Sequence, residues 1–346
     1  GTVGSWWRHA GGGVLRRAAH VVALIAWLWS GIALTGGCHI IGGYDQIAFE
    51  EPPKAQAVDL LLVVDNSAGT IMADKQQVFE QAVSGLVMGL MDLSDDVHVG
   101  VVTTSLGGVG ADTCTSPQEN QRGRLVARRA DGSLVPTHRE LGYLAWDPGQ
   151  AQSPPGASQR DELLGRLRDI VLGTGEVGCG FEATLEAWYR FLVEPEPYAD
   201  LALDDDGEVQ PIGTDELVLA QRQAFLRPDS LLLIVVLSDE NDCSLIAGGR
   251  FYLAAQKGDG EGNLYHLPPA RAACAIGPDH PCCVSCADPL PAGCEPTPGE
   301  CDEPLSDEED PLSLRCFQQA RRFGIDFLQP LARYRDPVGG GWLVLA

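Results

Sequence analysis

The sequence predicts an α/β fold: a Rossmann-like, largely parallel sheet flanked by helices, with two long cysteine-containing insertions. Three observations carry this expectation. Residues 60–64 (LLLVV) and 231–237 (LLLIVVL) are unbroken apolar runs, the pattern of strands covered on both faces. Between them lie segments with apolar residues at helical spacing, so strands and helices alternate along the chain. Hydrophobic residues make up 45% of the 346 and charged residues 21%, which supplies a sizeable core and excludes wholesale disorder.

Residues 1–37 hold Arg8, Arg16 and Arg17, no acidic residue, and an apolar stretch over 18–34 broken only by His20 and Ser30. A basic start, an apolar middle and small residues before a cleavage point describe an export signal. The stretch ends Leu34-Thr35-Gly36-Gly37-Cys38, similar to the lipobox of bacterial lipoproteins, in which the cysteine is acylated; Thr35 stands where that motif has leucine. An uncleaved anchor is the alternative, at the short end of what spans a bilayer. Residues 38–57 lack periodicity and read as a tether to a domain over 58–346.

Within that domain a strand at 60–64 leads to a helix N-capped by Asp74, with Phe79, Ala82, Val83, Leu86 and Leu90 at helical spacing. Residues 97–104 (VHVGVVTT) form a second strand, on which His98 alternates outward into solvent. An irregular insertion, 105–158, follows. Helices are expected over 161–172 and 181–193, a third strand over 229–237, a second insertion over 243–312, a helix over 315–334 and a final strand over 342–346. That last strand stops abruptly and no initiator Met opens the chain, so a fragment is expected. The second insertion is too poor in apolar residues to build its own core and needs covalent staples.

Lys plus Arg number 24 against 48 Asp plus Glu, a net charge of −24, and removing the three arginines of residues 1–37 takes it to −27. Phosphates would repel such a chain, so nucleic acid is excluded as a partner. Eleven cysteines indicate an oxidising compartment. With Cys38 assigned to lipid, ten remain as disulfide candidates: Cys114, Cys179, Cys243, Cys274, Cys282, Cys283, Cys286, Cys294, Cys301 and Cys316. Cys114 and Cys179 lie in loops of the same expected sheet edge and are a possible pair. Connectivity elsewhere is not legible from sequence.

The first strand ends in Asp65-Asn66-Ser67-Ala68-Gly69-Thr70 and the third in Ser238-Asp239-Glu240-Asn241-Asp242. Carboxylates and hydroxyls at the carboxyl ends of buried strands are hard oxygen ligands suited to Mg²⁺ or Ca²⁺. The pair LLLVVDNS and LLLIVVLSDE resembles the von Willebrand factor A (VWA) domain. Together with VHVGVVTTSLG, GCGFEATLEA, SDENDCS and FGIDFLQPLARY, it looks like a bacterial subgroup of cysteine-rich VWA lipoproteins. Arginine outnumbers lysine 21 to 3, which suits a GC-rich genome. The resemblance covers about 58–334 and implies a metal-ion-dependent adhesion site (MIDAS) with Asp65, Ser67 and Asp239 as ligands. Gly69 replaces the second serine of that pattern, so Thr70 is the substitute candidate, and Thr174 is the nearest hydroxyl for the family's threonine.

The function implied is a non-enzymatic, lipid-anchored envelope binding module on the outer membrane. Its ion would capture an acidic residue of an unidentified protein ligand. Both insertions leave the sheet edge that carries the site and would cap it. Two rivals differ in class: a thiol oxidoreductase using Cys283 and Cys286, and a structural envelope protein whose metal site is lost. His280 among thiols has the content of a zinc site, and 204–208 (DDDGE) has the look of a calcium loop without the closing glutamate. Residues 204–208 are expected to be a solvated loop. No nucleophile-elbow, zincin or P-loop motif is present.

Overall fold

The computed structural model of the chain describes residues 57–67, 70–114, 121–335 and 344–345. The export signal, Cys38 and the tether up to residue 56 lie outside the described residues. In chain order the elements are β1 (Val58–Val64), α1 (Thr70–Leu93), β2 (Val97–Thr103), β3 (Leu144–Trp146), α2 (Arg160–Leu172), α3 (Thr184–Leu192), β4 (Asp200–Leu203), β5 (Val209–Ile212), α4 (Glu216–Phe225), β6 (Leu231–Leu237), α5 (Ala273–Ile276), α6 (Gln319–Phe323), α7 (Ala332–Arg335) and β7 (Val344–Leu345).

The main sheet has the order β3-β2-β1-β6-β7. β1 lies parallel to β2 on one side and to β6 on the other, seven residues in register with each, and β7 continues in parallel. β3 is antiparallel to β2. This is a mixed α/β architecture with a mostly parallel central sheet. Every residue of β1 and β2 is buried. Leu60, Leu62 and Val64 alternate with Leu61 and Val63, and the first set packs with Val99 and Val101 against Val83, Val87 and Leu90 of α1 and Leu163, Leu167 and Ile170 of α2. The other face is covered by α3 and α4, which also contact the strands. Burying both faces is what makes a strand read as a continuous apolar run.

Several expectations need correcting. Asp74 does not cap α1; the helix already begins at Thr70, directly out of the turn after β1, and Asp74 lies in its second turn. His98 is not solvated: it is 4% exposed, because β2 has no wet face, and its Nδ1 lies 2.8 Å from Phe225 O. The irregular stretch 105–158 contains the buried edge strand β3. The helix expected over 315–334 is instead two short helices, α6 and α7, and a 3₁₀ turn (Leu312–Leu314) precedes them. Gly324 ends α6 at φ +70, and a Cβ there would stand 2.2 Å from the carbonyl carbon of Val284, so helix cannot continue through it. Residues 204–208 form a largely exposed loop as expected: they are the turn of a β4–β5 hairpin, with Asp204 Oδ1 accepting from the amides of Asp206 (3.1 Å) and Glu208 (2.8 Å).

All ten cysteines among the described residues are bonded: Cys114–Cys179, Cys243–Cys316, Cys274–Cys283, Cys282–Cys294 and Cys286–Cys301. The staples do not act alone in the 243–323 region. Arg315, 2% exposed, donates to Asp310 at 3.0 and 2.9 Å and to the carbonyl oxygens of Ala254, Gln256 and Tyr265. Beside it Ala254, Leu267, Phe323 and Phe327 form a small apolar core.

Candidate functional site

β1 is followed by a helix leading to β2 on one side, while β6 lies on its other side. The chain therefore diverges at the carboxyl ends of β1 and β6, and such a crossover opens a crevice where ligands bind in open α/β sheets. Asp65 follows β1 and Ser238-Asp239-Glu240 follow β6, which places these residues at that crevice.

Asp65 is fully buried. Its Oδ1 accepts from the amide of Ser67 (2.9 Å) and its Oδ2 from the hydroxyl of Ser238 (2.8 Å), so the turn after β1 is fastened to the end of β6. Gln76 of α1 donates from Nε2 to Asp65 O and to Gly175 O, both at 3.0 Å, and draws in the loop between α2 and α3. Gly178 completes that approach: a Cβ there would lie 2.4 Å from Asn66 O, so only glycine fits. Ser105, just beyond β2, accepts from the amide of Cys179 (2.9 Å) and donates to Asn66 Oδ1 (2.8 Å). Three connections, after β1, β2 and α2, thus converge on one point.

The residue missed by sequence reasoning is Glu182. It is fully buried; Oε2 accepts from the hydroxyl of Thr104, and Oε1 has no hydrogen-bond partner among the described residues. Burial first, and then the charge of Asp65, push its carboxyl up to about 9, with Glu240 and Asp239 adding to the rise. The carboxyl of Glu240 is also raised, by partial burial and by Asp65 and Asp239. Four carboxyl groups therefore feel one another at this edge. The signal for Glu182 in the sequence is an acidic residue between Phe181 and Ala183, immediately before an amphipathic helix. Its partner Thr104 lies 78 residues away and nothing in the sequence links the two.

The remaining expected ligands are placed as follows. Ser67 is 6% exposed and beside Asp65. Asp239 pairs with Lys75 Nζ at 3.0 Å. Thr174 is buried, but its hydroxyl donates to Val171 O (2.7 Å) and closes the end of α2; no hydrogen bond joins it to Asp65, Ser67 or Asp239. The backbone of Thr70 starts α1, while its side chain, like Gly69, lies outside the described residues. Among the described residues no group of three or more His, Cys, Asp or Glu side chains is arranged as a metal cluster. The donors fit a hard cation in kind, since they are oxygens and Glu182 Oε1 is a buried acceptor without a donor. They are not a preformed cage.

The two excursions meet at the same edge. Asp112 accepts from the amides of Lys257 (2.7 Å) and Gly258 (2.9 Å), and Thr113 donates to Ala255 O (2.5 Å). Under this contact lies an apolar cleft of about 70 Å³, lined by Leu106, Val109, Phe181, Leu245 and Tyr252 with Cys114, Cys179 and Cys243.

At the rival thiol site, Cys283 is bonded to Cys274 and Cys286 to Cys301, so the two do not form a redox pair. The same bonds occupy the thiols that a zinc site near His280 would need; His280 Nδ1 instead accepts from the amide of Cys282 (3.1 Å). No described helix is long and apolar enough to cross a membrane. Comparison with known proteins gives no family model, no curated protein and no solved structure that matches the chain.

Proposed function

We propose that the chain is a lipid-anchored envelope binding module of the VWA kind, exported, tethered through Cys38 to the outer membrane, and without enzymatic activity. One observation carries the reading: the crossover crevice brings Asp65, Glu182, Asp239 and Glu240 within electrostatic reach of one another, and the buried Glu182 keeps an oxygen that no donor among the described residues satisfies. A buried carboxyl raised this far holds its proton at neutral pH unless a compensating positive charge stands beside it. Among the described residues Lys75 pairs with Asp239. A Mg²⁺ or Ca²⁺ held by Asp65, Ser67, Asp239 and Glu182 would supply that charge and attract an acidic residue of a protein ligand, because the ion reverses the sign of the local field. The apolar cleft between the two excursions would take a neighbouring side chain of that ligand. Five disulfides agree with an oxidising compartment.

A structural envelope protein without metal is the second reading, favoured by the Lys75–Asp239 pair and by the inward-turned Thr174. Thermal unfolding of the full chain in Mg²⁺, Ca²⁺ or chelator separates the two. The binding reading requires a cation-dependent rise in midpoint that Asp65→Asn and Glu182→Gln abolish. An identical midpoint in all three conditions refutes it and leaves the structural reading.

A further inference from the structure

A second cavity, about 190 Å³, lies two strands away from β1, between the edge strand β3, the 154–157 loop and the first turns of α2. It differs in character from the cleft at the crossover. Its wall includes Thr137, His138, Arg139, Glu162 and Arg166, so an exposed arginine and a half-buried one border it beside one glutamate in a protein whose net charge is −24.

These cationic groups are only partly used. Arg139 donates from Nη2 to Ser153 O (2.7 Å) and Arg166 from Nη2 to Glu162 Oε1 (2.5 Å). The Nε and Nη1 of both arginines have no partner among the described residues. The ring of His138 packs on Tyr143 and borders the cavity, and neither ring nitrogen has a hydrogen-bond partner among the described residues, which leaves both open to the cavity. The nearby Asp147 does not serve it, since its oxygens accept from the amides of Ala151, Gln152 and Gly156. Arg139 and Glu140 both adopt left-handed backbone conformations, at φ +53 and +59. Such residues cost about 1–2 kcal/mol each and cluster at ligand sites.

We propose that this cavity binds a small oxyanion, a phosphate ester or a carboxylate, held by the forked donors of Arg139 and Arg166 and oriented by His138. Planar guanidiniums suit both groups because each offers two oxygens at matching spacing. At about 190 Å³ the space is roomy enough for a compact organic anion. The proposal is independent of any cation at the crossover.

Calorimetric titration of the full chain with inorganic phosphate, glycerol phosphate, acetate and succinate tests it, alongside the ring signals of His138 by NMR. The expected result is saturable binding of at least one probe below about 1 mM, with movement of the His138 signals and at least a tenfold loss in Arg139→Gln/Arg166→Gln. Arg168→Gln, on the exposed side of α2, should bind like wild type. Preference between the phosphate and carboxylate probes identifies the class. No saturable binding, or binding unchanged in the double variant, overturns the proposal.

Discussion

Replacing Glu182 by Gln should stabilise the cation-free protein, an unusual outcome for a fully buried polar residue. Its carboxyl is raised from the ordinary 4.5 to about 9 by burial and by Asp65. Between those values the folded state holds a proton that the unfolded state has released, so stability falls as pH rises through this window. At pH 7 the penalty is about 2.5 × 1.36, or roughly 3 kcal/mol. Glutamine keeps an oxygen for the Thr104 hydroxyl and removes the ionisation. Urea unfolding in chelator at pH 5, 7 and 8.5 measures the effect. Wild type should lose close to 1.4 kcal/mol per pH unit relative to Glu182→Gln. A cation at the crossover favours the ionised carboxylate, so saturating Mg²⁺ or Ca²⁺ should flatten the wild-type slope and leave the variant unaffected. Parallel pH profiles for the two proteins in chelator would refute the reasoning.

Two further predictions concern the frame around the site. Burial, and then the charge of Arg227, depress His98 from 6.5 to about 4. The unfolded state binds more protons between those values, so stability is lost as pH falls through the window, by up to about 3 kcal/mol; chemical denaturation at pH 7 and 4.5 should show His98→Asn with a shallower acid loss than wild type. Cys114–Cys179 closes a separation of 65 residues, for which chain entropy predicts a loss of about 4 kcal/mol in the double serine variant. Because this bridge also anchors the loop before Glu182, any cation-dependent rise in midpoint should shrink with it, as a melting series in Ca²⁺ would show.

The strands that build the crevice were legible because β1 is buried on both faces and β6, half-buried to buried along its length, is likewise an unbroken apolar run. The same property misplaced His98, since alternation along a strand predicts an outward side chain only where one face is wet. α2 was readable from Leu163, Leu167 and Ile170. α4 was not, because its buried set of Val218, Gln221 and Phe225 includes an amide and gives a weak apolar stripe. β3, three residues long, carries too little pattern to be seen without β2 beside it. At the site, Asp65 and Asp239 stood out by position at strand ends. Ser238, which actually bonds Asp65, and Glu182, which meets Thr104, depend on contacts spanning 173 and 78 residues, and such pairings arise only when the sheet closes.

The five bridges fall into two classes of reach. Cys274–Cys283, Cys282–Cys294 and Cys286–Cys301 join residues 9, 12 and 15 apart, whereas Cys114–Cys179 and Cys243–Cys316 join residues 65 and 73 apart. Closing the longest loop costs about 2 kcal/mol more than closing the shortest. The short bridges can therefore form from neighbouring chain alone, while the long ones become favourable once the sheet brings their sulfurs together. Oxidation of the last two pairs is thus a chemical record that β1, β2 and β6 have assembled. Neighbouring Cys282 and Cys283, which must choose different partners, are where that record is most open to error.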